Sequence, residues 1–256
     1  ARVMYSFIPF YIFYFSNYNI FILVSIFWGI SIGIQAPNIF TQVAIIEERT
    51  KKILNPIFKS SFNFGFLIGA AISSICLGLD IDPVYTTFFI GLFVFISSLS
   101  MFFFGLEKKY DVVNDNPRFA VPNFNIILFA SINMFIIAFM GIIVQWSPLW
   151  LVTDLSVPIY LVGSIVIFFN AGEIVGNIFA SKLINKFNEL IVGPCFAMFG
   201  SIILLLGIIT QNITIIFLSI TIFGFLISNV MPIVFRQAVR QSNNPIPITC
   251  LLYTSD

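Results

Sequence analysis

Glu173 sits inside the apolar run from Ile159 to Ala180, and it is the one ionisable residue that the long apolar runs of this chain hold well away from their ends. Around it the sequence reads Asn170-Ala-Gly-Glu173-Ile-Val-Gly-Asn177. Asn170, Glu173 and Asn177 stand at i, i+3 and i+7, so on a helix they share one face. An acid flanked by two amides can carry a proton or hydrogen-bond a polar solute. The same three residues also suit a structural hydrogen-bond set against a neighbouring helix. A carboxylate at mid-bilayer costs roughly 2.5–3.5 kcal/mol on insertion scales, so a residue kept there faces protein, water or a ligand.

The elements that must position these residues are membrane helices. The chain has 256 residues, 59% of them hydrophobic and 9% charged, outside the range of soluble domains. A net charge of +1 gives no reason to expect a nucleic-acid partner. There is no His, and Cys76, Cys195 and Cys250 are scattered singly, so no metal site, cofactor site or disulfide framework is expected. The opening Ala1-Arg2-Val3 has no signal-peptide pattern.

Spanning about 30 Å of hydrocarbon takes about 20 helical residues. On that criterion Met4–Phe15 is too short, the end of a helix, and seven full segments follow: Ile20–Ile46, Ile57–Leu79, Val84–Leu106, Phe124–Trp146, Ile159–Leu183, Leu190–Thr210 and Ile213–Phe235. The polar stretch Glu107–Pro122 divides them into two groups of four. Residues 1–106 are thus expected to form part of an N-terminal helical half, 107–122 a central cytoplasmic loop, and 123–249 part of a C-terminal half. Residues 250–256 do not continue the pattern and read as a non-native tail.

Charge placement supports this threading. Arg49, Lys51, Lys52 and Lys59 are assigned to one side of the membrane, with Lys108, Lys109, Arg118, Lys182, Lys186, Arg236 and Arg240. The opposite loops hold Asp80, Asp82 and Asp154 and no Lys or Arg. The positive-inside rule makes the basic side cytoplasmic.

Further polar residues recur with helical spacing. Ser31, Gln35, Asn38 and Gln42 form a stripe at i, i+4, i+7 and i+11, with Gly29 and Gly33 on the opposite face, spaced for close packing on a neighbour. Ser60, Asn63 and Ser74 share a face of the next segment, which carries Gly65 and Gly69. Gly172 and Gly176 repeat the small-xxx-small pattern beside Glu173, where helix packing is the favoured reading. The stripes suit either a polar cavity or interhelical hydrogen bonds. The segment Ile191–Ile209 is almost purely apolar and reads as lipid-facing. Pro37, Pro148 and Pro232 fall in or at the ends of segments, where each removes a backbone donor and frees a carbonyl.

Three stretches carry a likeness to a known family. The first runs from Gly29-Ile-Ser-Ile-Gly33 through Asn38 and Glu47-Glu48-Arg49 to Phe62-Asn63-Phe64-Gly65-Phe66-Leu67-Ile68-Gly69-Ala70. The second is Gln145-Trp146-Ser147-Pro148-Leu149-Trp150-Leu151, and the third Gly224 to Phe235 with Ser228, Asn229 and Pro232. In order and spacing they resemble the major facilitator superfamily, nearest its bacterial fucose-permease-like and related inner-membrane branch. The resemblance implies an all-α polytopic fold holding family helices three (in part) to ten, of which the fourth, fifth, seventh, eighth and tenth line the cavity. It departs from the related sequences at Met140, where they often carry an acid, and it lacks the proline-glycine motif of antiporters in the fifth helix.

The expectation is a transporter of a small polar, sugar-like solute, proton-coupled, working by alternating access in the bacterial inner membrane as a monomer. Glu173 would carry the proton or bind the solute. Asn170, Asn177, Gln35, Asn38, Gln42 and Gln145 would offer hydrogen bonds, and Trp146 a stacking face or an interfacial anchor. Partners would be the solute and the bilayer. The alternatives are a drug or metabolite efflux transporter of the same fold and a non-transporting receptor or scaffold. Enzymatic chemistry is not expected, because the chain offers no nucleophile–base pair at helical spacing.

Overall fold

Every regular element among the described residues is helical, as the apolar runs require. The computed structural model describes residues 6–15, 17–50, 55–104, 124–186, 189–231, 233, 234 and 237. In chain order the helices are α1 (Ile8–Tyr14), α2 (Tyr18–Thr50), α3 (Asn55–Gly78), α4 (Pro83–Phe104), α5 (Phe124–Gly141), α6 (Ser147–Thr153), α7 (Ser164–Lys186), α8 (Glu189–Ile209) and α9 (Ile213–Ile227). Among the described residues five stretches are long and apolar enough to cross a membrane: Tyr18–Gln35, Ile57–Gly78, Ile127–Thr153, Ile159–Phe179 and Ile191–Ile209. Pro83–Leu99 and Ile213–Ile227 are shorter apolar helices. The central loop 107–122, the tail 250–256 and most of the basic loop residues lie outside the described residues.

Local chemistry sets the ends. Asp80 and Gln211, just past α3 and α8, take φ values of 55° and 52°, the left-handed conformation that stops a helix within one residue. Pro83 opens α4, where its missing N–H costs nothing, and the Asp82 carboxylate accepts from the Val84 N–H at 2.8 Å. Asn212 caps α9 by accepting from the N–H groups of Thr214 and Ile215 at 3.0 and 3.4 Å. Asp80, Asp82 and Asp154 are all exposed.

The segment Phe124–Trp146 is not one uniform helix. A π turn, Ile142–Trp146, separates α5 from α6, and the Ser147 N–H bonds the Ile142 carbonyl five residues back. Pro148 explains it. Its nitrogen cannot donate, and its ring crowds the carbonyl four residues earlier, so the helix absorbs one extra residue before restarting. A second interruption follows α9, where Ser228 and Asn229 form a turn before helix resumes at Val230.

The core sits among α5 to α9. Ile143, Leu151, Ile165, Phe169, Leu204, Ile216, Ile220, Phe223 and Ile227 are buried there. Helices α7 and α9 run parallel, back to back. A Cβ on Gly172 would strike the Thr221 carbonyl, one on Gly176 the Ser228 hydroxyl and the Phe225 carbonyl, and one on Gly224 the Phe169 carbonyl. These glycines let the two backbones touch. Helix α3 lies antiparallel along the other side of α7, with Gly163 against Ala70 and Ser74 and Gly78 against Tyr160. Helix α8 packs on α9 through Gly200 and Leu204 and exposes Met198, Phe199, Ile202, Leu205 and Leu206, so one apolar face is open. Among the described residues the other glycine pairs have no close neighbour: a Cβ on Gly29, Gly33, Gly65 or Gly69 would meet nothing within 4 Å.

Candidate functional site

The site is a buried polar level between α3 and α7. Asn170, Glu173 and Asn177 are each 2% exposed, so the shared face read from their spacing turns into protein. Asn170 donates to the Val166 carbonyl of its own helix at 2.8 Å. Both polar atoms of the Asn177 amide are buried without a hydrogen-bond partner.

Glu173 has a partner that the charge pattern hid. The Lys59 ammonium lies 3.5 Å from its Oε1. This corrects the assignment of Lys59 to the loop charges: it stands four residues inside α3, and its stem reaches along the helix to the α7 carboxylate. The separation allows ion pairing but exceeds the 2.7–2.9 Å of a charge-assisted hydrogen bond. Asn63, one turn on from Lys59, is buried on the same stretch of α3 with its amide nitrogen unbonded. At the far end of α9, Ser228 donates to the Phe225 carbonyl at 2.9 Å, and Asn229 donates to Ser228 at 3.2 Å while its own carbonyl oxygen stays unpaired. The spacing of Lys59 and Asn63, i and i+4 on a helix starting at Asn55, is the signal that could have found the pair.

This level differs from the rest of the apolar helices. Ser98, Ser131, Ser201, Ser219 and Thr221 return their hydroxyls to carbonyls of their own helices at 2.6–2.9 Å. Among the described residues the unsatisfied buried side-chain atoms belong to Lys59, Asn63, Glu173, Asn177 and Asn229, with Ser74 and Thr86 besides. An unpaired buried polar atom costs about 1–3 kcal/mol, so a cluster of them is a standing demand for a partner.

The other candidates lie elsewhere. Helix α2, bearing Gln35, Asn38 and Gln42, packs on α1 and α3, and its buried Val43 stands apart from the core cluster of α5 to α9. Ser31 is buried, beside a cavity of about 170 Å³ lined by Ile8, Tyr11, Val24 and Phe27. Gln35 is half-buried, Gln42 is exposed, and the Asn38 side chain lies outside the description. Gln145 and Trp146 ride on the π turn, whose Ile143 enters the core, and both are exposed, Trp146 by 64%.

A helical chain with several segments long and apolar enough to cross a membrane, and a charged pair buried between them, defines a polytopic membrane fold. Residues 3–244 match the Major Facilitator Superfamily, and the chain belongs to it. It is therefore a multi-pass membrane transporter of that superfamily, whose members are transporters rather than enzymes. The match reaches the superfamily and not a branch within it. Comparison with curated proteins returns no match.

Proposed function

We propose that the chain moves a small polar, sugar-like solute across the cytoplasmic membrane by alternating access, coupled to protons, as a monomer, with its basic loops in the cytoplasm. One observation carries this reading: the Lys59–Glu173 pair joins a helix of the first group to a helix of the second, amid amides with no partner of their own. Parting the two groups of helices would break the pair and expose those groups to water. Joining them would bury them again. A site that exchanges its partners between two arrangements is what alternating access needs. Glu173 carries the proton, Asn63 and Asn177 offer hydrogen bonds to the solute, and Asn170 holds the shape of the α7 turn before Glu173. Gln35, Asn38, Gln42, Gln145 and Trp146 belong to the wall of the solute path. The sugar-like class rests on the resemblance to the fucose-permease-like branch, and the bacterial inner membrane on the same likeness.

The test is Glu173→Gln in the full-length transporter, reconstituted in liposomes. Gln keeps the shape of the neutral acid. Uphill accumulation should vanish while solute exchange persists. Normal uphill accumulation by the variant would remove Glu173 from the coupling step, and a chain that binds partners without moving any solute would favour the receptor or scaffold reading.

A further inference from the structure

Lys59 reaches Glu173 with more donors than the pair uses. An ammonium carries three N–H groups. Among the described residues this one is buried at the nitrogen and makes no full hydrogen bond, its one ion-pair approach being 3.5 Å to a single carboxylate oxygen. The amide nitrogens of Asn63 and Asn177 are likewise buried and short of a full hydrogen bond, with Asn63 facing the Glu173 carboxylate, and the Asn177 amide oxygen is also unpaired. The cluster thus gathers unspent donors and one cation from two helices, and its single anionic acceptor is Glu173. Oxygen atoms bearing negative charge are the missing complement.

We propose that the solute taken at this site bears a carboxylate, which Lys59 captures in place of Glu173, with a proton bonding to Glu173 as it leaves the pair. This rests on the transport reading above and names its solute class. Charge balance favours the exchange. The closed pair is neutral, Lys59 positive and Glu173 negative. After the exchange Lys59 is paired with the solute and Glu173 carries the proton, so the buried site is neutral again. A solute anion arriving without the proton would leave two anions on one cation in a dry site. The proton comes from hydronium on the open aqueous side: one O–H bond of the hydronium breaks, leaving water, as one forms on the Glu173 carboxyl, and Lys59 keeps its protons. Among the described residues no second charge faces Glu173: α3 presents Lys59 and Asn63, and α9 presents Gly224. One anion and one proton cross together, so the cycle moves no net charge. A neutral sugar would give Lys59 nothing to trade for.

The experiment uses the full chain purified in detergent micelles. Its thermal unfolding is followed with D-glucuronate, D-gluconate or lactate, each set against its neutral counterpart, D-glucose, D-sorbitol or propane-1,2-diol. At least one acid should raise Tm by a few degrees where its counterpart does not, since a ligand that binds only the folded state stabilises it by mass action. Lys59→Gln should erase the shift and Lys59→Arg keep part of it. Lys59→Gln leaves a buried carboxylate unpaired, so Lys59→Met combined with Glu173→Gln serves as the variant that keeps the fold, and it should ignore the acids. Equal shifts from acid and neutral counterpart, no shift from any acid, or a shift retained by the double variant would each overturn the carboxylate. The wild-type comparison decides even where a variant does not fold. The transport reading fails on a different result, uphill accumulation by Glu173→Gln.

Discussion

Helices α2 and α7 look alike in sequence and behave differently in the structure. Each carries polar residues at helical spacing and a Gly-xxx-Gly pair. On α7 the polar face is buried against α3, and Gly172 and Gly176 meet the backbone of α9. On α2 the polar line runs from buried Ser31 to exposed Gln42, and a Cβ on Gly29 or Gly33 would meet nothing within 4 Å among the described residues. A periodic pattern specifies a face; the neighbour decides whether that face becomes a site, a seam or an open wall. The difference also locates the chemistry, because only the α7 face brings two charges from different helices within 4 Å among the described residues.

The comparison breaks most visibly at the ion pair. Glu173→Ala leaves the Lys59 ammonium buried and alone, and removing one partner of a buried pair costs about 3–5 kcal/mol. Unfolding of the purified protein should show that loss. Lys59→Met with Glu173→Leu should recover most of it, since apolar replacement of both partners is often neutral. An additive double variant, as unstable as the sum of its singles, would mean that the two side chains do not interact.

The glycine pairs give the next effect. Gly172→Ala or Gly176→Ala forces the α7 and α9 backbones apart and should cost about 1–3 kcal/mol, as overpacking does. Gly29→Ala and Gly33→Ala should fall within about 0.5 kcal/mol of the parent. Equal penalties for the two pairs would show that α2 has a close neighbour of its own.

Much of this was legible in the sequence. The apolar runs placed the start of each full helix within two or three residues, except where Ile159–Leu183 opens with the short turn Ile159–Leu161 before α7 begins at Ser164. The spacing of Asn170, Glu173 and Asn177 fixed their common face. Lys59 was missed because charge was counted by loop, and a lysine near a helix end looks like a loop charge until its stem is followed inward. The π turn was hidden as well: Pro148 announces a disturbance, but whether a helix kinks, breaks or gains a residue depends on packing around Ile143. The pairing of Gly172 and Gly176 with Thr221 and Phe225 is tertiary, and no local pattern contains it.

A smaller effect tests the frame that holds the core helix α9. Asn212→Ala removes the side-chain acceptor for Thr214 and Ile215 and should cost about 1 kcal/mol. Gln42→Ala, on the exposed end of α2, should leave stability within about 0.5 kcal/mol.

The central claim is that transport requires α3 and α7 to part, and one cross-link asks it directly. A Cβ built on Gly78 lies 3.4 Å from the Cβ of Tyr160, close to the spacing of a disulfide. Gly78→Cys with Tyr160→Cys, in a transporter whose native cysteines are replaced, should lose solute uptake on oxidation and regain it on reduction. Uptake at the full reduced rate by the cross-linked protein would contradict the account, because the two helices would then never need to separate.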